Sequence, residues 1–406
     1  MQYHADVIVA GAGPAGTMAA YELARKGVDV LILEKARFPR YKVCGGGLTW
    51  KIRDKIPFDI SPVVEREIVS VRFSCNYSNF FTRTSPDPLI LCTMRQNLDQ
   101  FLLDQALAAG ARIQHGEHIS ALHPVGPSIV IQTRNTNFRS RVVIGADGTS
   151  SMVARCSGLH QDLRPGLAWE AEMDAEEEEL ERYGQTVFLD WGTFPGGYGW
   201  IFPKRDHFSI GVGGPASLSG YLKRYNEQFI QSSGIRFTGI RSLKAWPIPM
   251  KTRKGLFHYG QVVVAGDAAG LTDPLTGEGI SYAIRSGTMA GRAVFSYLQG
   301  DTGALASYSE EINHELMPEI LEAERIKAIF NTVPHTIHRL VEERERVWKA
   351  FGKILKGERT YADVRDEFGK WKFLWGLACY VAGHISRYKE RRYRGMRHKA
   401  QATEAL

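Results

Sequence analysis

A chain of 406 residues exceeds the roughly 250–300 at which one hydrophobic core stops growing, which predicts two domains or one with an elaborated second lobe. With 44% hydrophobic and 23% charged residues, its composition excludes global disorder and a fibrous repeat. The net charge of +7 is mild, and taken whole it leaves nucleic acid, an anionic membrane, an anionic substrate or no charged partner open.

Residues 6–10 read as a short buried strand, an apolar run that ends in glycine. Gly11-Ala12-Gly13-Pro14-Ala15-Gly16 follows at once, and residues 17–26 have helical composition. Gly27 stops that helix, residues 28–33 form a second strand, and Glu34 closes it 18 positions after Gly16. Gly11 permits the tight turn, Gly13 lets backbone approach a pyrophosphate, and Gly16 lets helix and strand pack closely. The helix N-terminus attracts phosphates, and Glu34 can accept hydrogen bonds from ribose hydroxyls. A glycine turn alone is weak, but strand, helix, second strand and acid in register predict a dinucleotide site.

Further along, residues 142–146 form an apolar strand followed by Asp147-Gly148, with Ser151, Val153 and Arg155 behind it. Residues 261–265 form another, leading into Gly266-Asp267-Ala268-Ala269-Gly270, then Pro274 and Gly277-Glu278-Gly279-Ile280 at a helix start. Together these segments resemble the flavoprotein hydroxylase fold, which binds FAD. The resemblance implies that Asp267 holds the ribityl chain. It also implies that Arg95, with Leu98, Asp99 and Leu102 behind it, lies along the cofactor. The implied cofactor residues are Gly11, Gly13, Pro14, Ala15, Gly16, Glu34, Lys35, Cys44, Gly45, Gly46, Arg95, Asp147, Gly148, Gly266, Asp267, Pro274, Gly277, Gly279 and Ile280. No second GxGxxG occurs, so no separate NADPH domain is expected; NADPH and ferredoxin both stay open as the electron donor.

Two stretches narrow the resemblance. Residues 35–49 read KARFPRYKVCGGGLT, and Tyr198-Gly199-Trp200-Ile201-Phe202-Pro203 is followed, seven residues on, by Gly211-Val212-Gly213. Both resemble the geranylgeranyl reductase family over residues 1 to about 300. By that resemblance Tyr198, Trp200, Phe202 and Gly211 line an apolar tunnel for a prenyl chain, and Cys44 and its glycines lie near the flavin ring. Strand alternation independently puts Tyr198, Trp200 and Phe202 on one face, as a core layer or as a ligand wall. Cys44 is equally readable as a small buried residue with an incidental thiol.

The implied activity is FAD-dependent saturation of carbon–carbon double bonds in a geranylgeranyl or polyprenyl chain, on a free diphosphate, lipid, quinone or pigment tail. Hydride comes from reduced flavin, and Cys44, Tyr198 or an ordered water supplies the proton. Rival readings are a flavin monooxygenase or halogenase, whose WxWxIP stretch is partly echoed here although Tyr198 and Phe202 depart from it. An isoprenoid isomerase or cyclase using reduced flavin, and a scaffold with FAD as filler, complete the alternatives.

The predicted fold class is α/β: a Rossmann-type FAD domain (residues 1–60, 85–156 and 258–305) interleaved with an α+β substrate domain built on an antiparallel sheet (61–84 and 157–257). A helical region with a basic tail (306–406) follows. The acidic run 174–181 reads as a solvated face. The histidines show no HxxxH or HExxH spacing, so no metal is predicted. Five cysteines (Cys44, Cys75, Cys92, Cys156, Cys379), none in CxxC, favour a reducing compartment over disulfides. The N-terminus has no signal-peptide pattern, and no uncharged apolar run reaches the length of a membrane span, so a cytoplasmic location is expected. Trp371, Phe373, Leu374, Trp375, Leu377, Tyr380 and Val381 form an aromatic-rich segment that runs into Arg387, Lys389, Arg391, Arg392, Arg394, Arg397 and Lys399. This is either an interfacial helix on an anionic leaflet or a core-packed helix with a solvated tail. No nucleic-acid motif accompanies it. Residues 380–406 alone carry +5, which leaves a nearly neutral body and points to a peripheral membrane surface more than to an anionic substrate.

Overall fold

Val7, Ile8, Val9 and Ala10 are wholly buried on both faces, as a central strand of a parallel sheet demands. Their strand, Tyr3–Ala10, lies parallel between Val30–Glu34 and Asn137–Gly145. Arg112–His115 and Val262–Val264 extend the sheet in parallel on either side, His258–Tyr259 closes one edge, and the hairpin Ile119–Val125 and Ser128–Thr133 joins at Asn137–Gly145. This is the expected Rossmann-type layer. The computed structural model describes residues 3–367, 369 and 372–404, without the side chains of residues 3, 372, 373 and 396–404.

The helix Pro14–Ala24 packs on Ile280–Leu298 through small residues. A Cβ at Gly287 would lie 2.1 Å from Ala15 O, so the two backbones touch. That contact sets the start of the first helix beside the second turn of the other.

The second sheet has seven strands in the order Phe237–Lys251, Leu163–Ala175, Phe208–Pro215, Tyr198–Pro203, Thr186–Trp191, Ser70–Cys75 and Ser78–Thr84. Neighbours are antiparallel except Thr186–Trp191 beside Ser70–Cys75, which run parallel. The expected antiparallel sheet is therefore mixed at one pair, because the long intervening chain permits the crossover that a hairpin cannot make. One face of the sheet buries Ile201, Ile210, Val212 and Phe188 under the helix Ser219–Ser232. A small third sheet, Gly47–Thr49, Ile90–Thr93 and Val64–Ile68, connects the two layers.

The C-terminal helices are Met317–Thr332, Pro334–Glu343, Glu345–Lys356, Tyr361–Asp366 and the long Lys372–Glu404. Val341, Trp348 and Leu355 pack against Phe73 and Val71 of the second sheet, with Ile337 and Phe351 beside them. Lys372–Glu404 runs along Met317–Thr332. No described helix is long and apolar enough to cross a membrane. Of the aromatic and basic tail, Trp371 and the side chains of Phe373, Arg397 and Lys399 lie outside the described residues.

Candidate active site

The glycine turn is held by its neighbours' backbone. Gly11 has φ of +96°, and a Cβ there would lie 2.4 Å from Ala146 O; at Gly16 it would lie 1.9 Å from Gly11 O. Gly13 caps the helix Pro14–Ala24 in extended conformation with no side-chain cap, and a Cβ there would meet only the tip of Arg40. The first turn thus presents uncapped N–H groups to an open floor, the arrangement that receives a phosphate. Glu34 is buried and accepts from Ala12 N at 2.7 Å and Ala36 N at 2.9 Å, which ties the acid to the turn and leaves lone pairs free. Asp99 clamps Arg95 through two hydrogen bonds, at 2.8 and 2.9 Å, and pairs with Arg40 at 3.0 Å.

Of these groups Pro14 and Arg95 face a cavity of about 1020 Å³, while Gly11, Gly13, Ala15, Gly16 and Glu34 are not among its lining residues. Pro14, Cys44, Gly45, Gly46, Arg95, Asp267, Pro274, Gly277, Gly279 and Ile280 line it, and so do Tyr198, Trp200 and Phe202. The remaining expected residues sit around it. Gly266 is buried against Ala15 and Ala283. Asp147 accepts from Ser151 Oγ at 2.5 Å and Met152 N at 2.6 Å, so its carboxylate caps the helix Met152–Cys156. Neither Asp147 nor Gly148 is among the lining residues, and Lys35 is exposed.

Two loops meet over the cavity. In the first, Asp273 accepts from Leu275 N (2.7 Å), Thr276 N (3.2 Å) and Tyr361 Oη (2.8 Å), so a C-terminal helix braces the turn before Gly277. Glu278 accepts from Thr49 Oγ1 at 2.7 Å and pairs with Lys51 at 3.4 Å; burial raises its pKa. In the second loop Gly46 has φ of +63°, and a Cβ there would lie 2.0 Å from Thr93 O. The wholly buried Lys204 donates to Gly45 O at 2.6 Å and to Thr93 O at 2.9 Å, locking that loop to the sheet. Arg95 also reaches the Cys44 thiol.

The spacing of the aromatic strand and the later glycines has a direct cause. Tyr198 pairs with Gly213 and Trp200 with Gly211 across the antiparallel ladder. Side chains opposite each other share a face, so Gly211 clears room for the Trp200 ring to lie across the next strand. A Cβ at Gly211 would come 2.0 Å from the Trp200 indole. Tyr198 Oη donates to Thr276 O at 2.5 Å, and burial raises its pKa. Its proton is therefore committed to a backbone carbonyl.

The roof comes from the C-terminal helical region. Phe330, Ile337, Val347, Phe351, Ile354 and Trp375 line it, with Lys327, Lys389 and Arg392 at the same side. Spacing at 347, 351 and 354 marks an amphipathic helix and was the available signal. Lys204 and Glu170, the latter a buried lining residue, carried no signal: a lone Lys or Glu normally reads as solvated.

The cavity's polar wall suits a flat group rich in hydrogen-bonding atoms. Trp200 Nε1, Trp246 Nε1 and Thr272 Oγ1 are buried on it without a hydrogen-bond partner. With the glycine turn and its acid, these residues fit a flavin dinucleotide.

The fold and site define a flavoprotein, and comparison with known proteins agrees. A family model described as an FAD binding domain matches residues 4–50. The chain is 30% identical over 304 residues to a geranylgeranyl diphosphate reductase of Rhodobacter capsulatus, covering 72% of this chain and 76% of that protein. It is 28% identical over 383 residues to digeranylgeranylglycerophospholipid reductase 2 of Methanopyrus kandleri, covering 87% and 93%. In fold it is similar to a geranylgeranyl bacteriochlorophyll reductase-like protein of Thermoplasma acidophilum, with TM-score 0.73 and 21% identity over 91% of this chain and all of that one. The chain belongs to the geranylgeranyl reductase family and is an FAD-dependent oxidoreductase.

Proposed function

We propose that this protein saturates carbon–carbon double bonds of a geranylgeranyl or longer polyprenyl chain carried by a diphosphate, lipid, quinone or pigment. The observation that carries the reading is the single cavity running from the glycine turn, past the aromatic strand, to the apolar C-terminal helices. FAD, bound and reduced, supplies hydride. Gly11, Gly13, Pro14, Ala15, Gly16 and Glu34 hold the dinucleotide end, with Gly266, Asp147, Gly148 and Lys35 framing it. Arg95, Asp267, Pro274, Gly277, Gly279 and Ile280 continue along it, and Cys44, Gly45 and Gly46 pack close to the ring.

Tyr198, Trp200 and Phe202 hold the prenyl chain against the other wall, with Gly211 giving the indole its place. Apolar lining excludes water and fixes the alkene near its reaction partner, which is where the rate advantage of a bound complex arises. Cys44 stands at the wall; Tyr198 positions through Thr276 rather than giving up its proton. Electrons arrive from a transient donor, NADPH or ferredoxin, whichever bleaches the flavin anaerobically.

A peripheral membrane route for the substrate is supported by the long helix. Leu374, Leu377, Tyr380, Val381 and Tyr388 are exposed on it beside Arg387, Arg391 and Arg394. Its Trp375, Ile385 and Lys389 meanwhile line the cavity, so one helix links cavity and apolar surface. The reading is tested by incubating dithionite-reduced protein anaerobically with geranylgeranyl diphosphate and geranylgeranyl lipids. Product heavier by two hydrogens per double bond is expected. Unchanged mass would indicate an isomerase or cyclase, and an oxygen requirement would indicate a monooxygenase or halogenase.

A further inference from the structure

Alkene reduction adds hydride to one carbon and a proton to the other, and the Tyr198 proton is already held by Thr276 O. A carboxyl outside every motif lies on the same wall. Glu170, on Leu163–Ala175, pairs across the ladder with Gly211, which pairs in turn with Trp200. Glu170 therefore shares the face of the aromatic rings, and it lines the cavity while only 1% exposed. Its Oε1 accepts from Ser209 Oγ at 3.0 Å; its Oε2 is buried with no partner.

Glu172 follows two residues later on the same face and is also buried. Its Oε2 lies 3.0 Å from Nε2 of the buried His207. On the far side of that ring, Nδ1 lies 2.7 Å from Oδ1 of Asp206, whose side chain is 65% exposed. Asp206, His207 and Glu172 are thus in contact from solvent inward, and Glu172 acts on Glu170 at the cavity from the same strand face.

Two neighbouring buried carboxyls do not both ionise readily, and a proton shared between them supplies the donor that Glu170 Oε2 lacks. Burial above all, and then Glu172, pushes Glu170 up to about 8, so it is largely protonated at neutral pH. Lys204 and Ser209 act against this from the neighbouring elements. Tyr41 faces Glu170, Glu172 and Cys44 from the overlying segment, with Lys244 on its ring and Lys42 on the Trp246 ring. Arg241 pairs with Asp206 and Asp174 at the outer end, and its Nη1 also donates toward His207 Nδ1 at 3.1 Å.

We propose that Asp206, His207, Glu172 and Glu170 form a proton relay that delivers protons from solvent to the alkene. The inference rests on the prenyl-reductase reading. For each double bond saturated, FAD held in this cavity and reduced would supply the hydride, two electrons and one proton, to one alkene carbon and would itself be oxidised. Glu170 gives its proton to the other carbon. The carboxylate left behind takes a proton from Glu172, which is recharged by His207 Nε2, while Nδ1 takes one from solvent through Asp206.

The first test needs no turnover. Infrared spectra of full-length, FAD-loaded protein carrying ¹³C-carboxyl glutamate are expected to show a protonated-carboxyl band at pH 7 that bleaches near pH 8 and is missing in Glu170→Gln. Absence of the band from the wild type at pH 7, or its persistence in Glu170→Gln, overturns the relay. The second test follows anaerobic single-turnover flavin reoxidation by geranylgeranyl diphosphate. Glu170→Gln is expected to slow it roughly 100-fold or more with FAD binding unchanged. His207→Gln is expected to slow it about 10-fold, the lower margin of such effects, with added imidazole restoring the rate. Wild-type rates in Glu170→Gln, or a His207→Gln deficit that imidazole leaves in place, overturn the relay. If no prenyl substrate reoxidises the wild type, the prenyl reading fails, and the carboxyl band still decides the relay.

Discussion

Gly211 offers the sharpest steric test of the cavity wall. A Cβ at this position would lie 2.0 Å from Trp200 Cζ2, 2.4 Å from Cε2 and 2.7 Å from Cη2. Packed carbons sit about 3.5 Å apart or more, so in Gly211→Ala the indole must retreat by roughly 1.5 Å. Behind the strand is backbone, and in front of it is the cavity, so the ring moves into the cavity. Overpacking of a closed core costs about 1–3 kcal/mol; with this escape open, the cost to folding is expected near ~1 kcal/mol. The larger loss falls on the substrate. Displacing two or three prenyl methylenes at ~0.8 kcal/mol each weakens binding by ~2 kcal/mol, or roughly 30-fold. Prenyl titration followed by flavin fluorescence reads the affinity, and thermal unfolding reads the stability. Gly213→Ala is the internal control, because its Cβ would meet Tyr198 at an ordinary 3.5 Å and is expected to leave affinity near wild type. Wild-type affinity in Gly211→Ala, or equal losses in the two variants, would refute the assignment of this wall to the substrate.

Lys204→Met leaves Gly45 O and Thr93 O buried without their donor, at about 1–3 kcal/mol each, and loosens the loop bearing Cys44. FAD retention on gel filtration and the unfolding midpoint should both fall; unchanged retention would contradict the role. Glu170 has a folded pKa raised from 4.5 to about 8, so over that interval the folded state binds more protons than the unfolded state and loses stability as pH rises. The loss is up to ~1.4 kcal/mol per pH unit, so Glu170→Gln should gain stability on the wild type between pH 6 and pH 8; parallel pH curves would speak against it. Replacing Arg387, Arg391 and Arg394 by serine removes about 1 kcal/mol of attraction each and should lower partition onto phosphatidylglycerol vesicles roughly 100-fold. Unaltered flotation would remove the long helix from the membrane.

The cofactor half was legible because its chemistry is local. The tight turn and the close helix–strand approach are built within a few residues, where Gly11 and Gly16 leave no room for a Cβ, and Glu34 is tied back to the turn through Ala12 N. The aromatic stretch and the later glycines were visible as a spacing, but only the ladder register shows that Tyr198 and Trp200 lie opposite Gly213 and Gly211 and that glycine is needed at 211. The roof was less legible. Met317–Thr332, Pro334–Glu343 and Glu345–Lys356 are plainly helical, but their amphipathic faces do not say which sheet they cover. Lys204 and Glu170 were invisible for a different reason. Each is a charged residue on or beside a strand, and only tertiary packing removes it from water. Asp147 shows the converse: an acid in the expected place whose carboxylate is used to cap a short helix.

Stoichiometry decides whether this cavity brings a prenyl alkene to a reduced flavin. Protein reduced anaerobically with one equivalent of dithionite is mixed with geranylgeranyl diphosphate or a geranylgeranyl lipid, and flavin absorbance and product mass are followed together. One double bond saturated per flavin reoxidised is the predicted result. A flavin that stays reduced with every prenyl substrate, or reoxidises without a matching gain of two hydrogens, would contradict it.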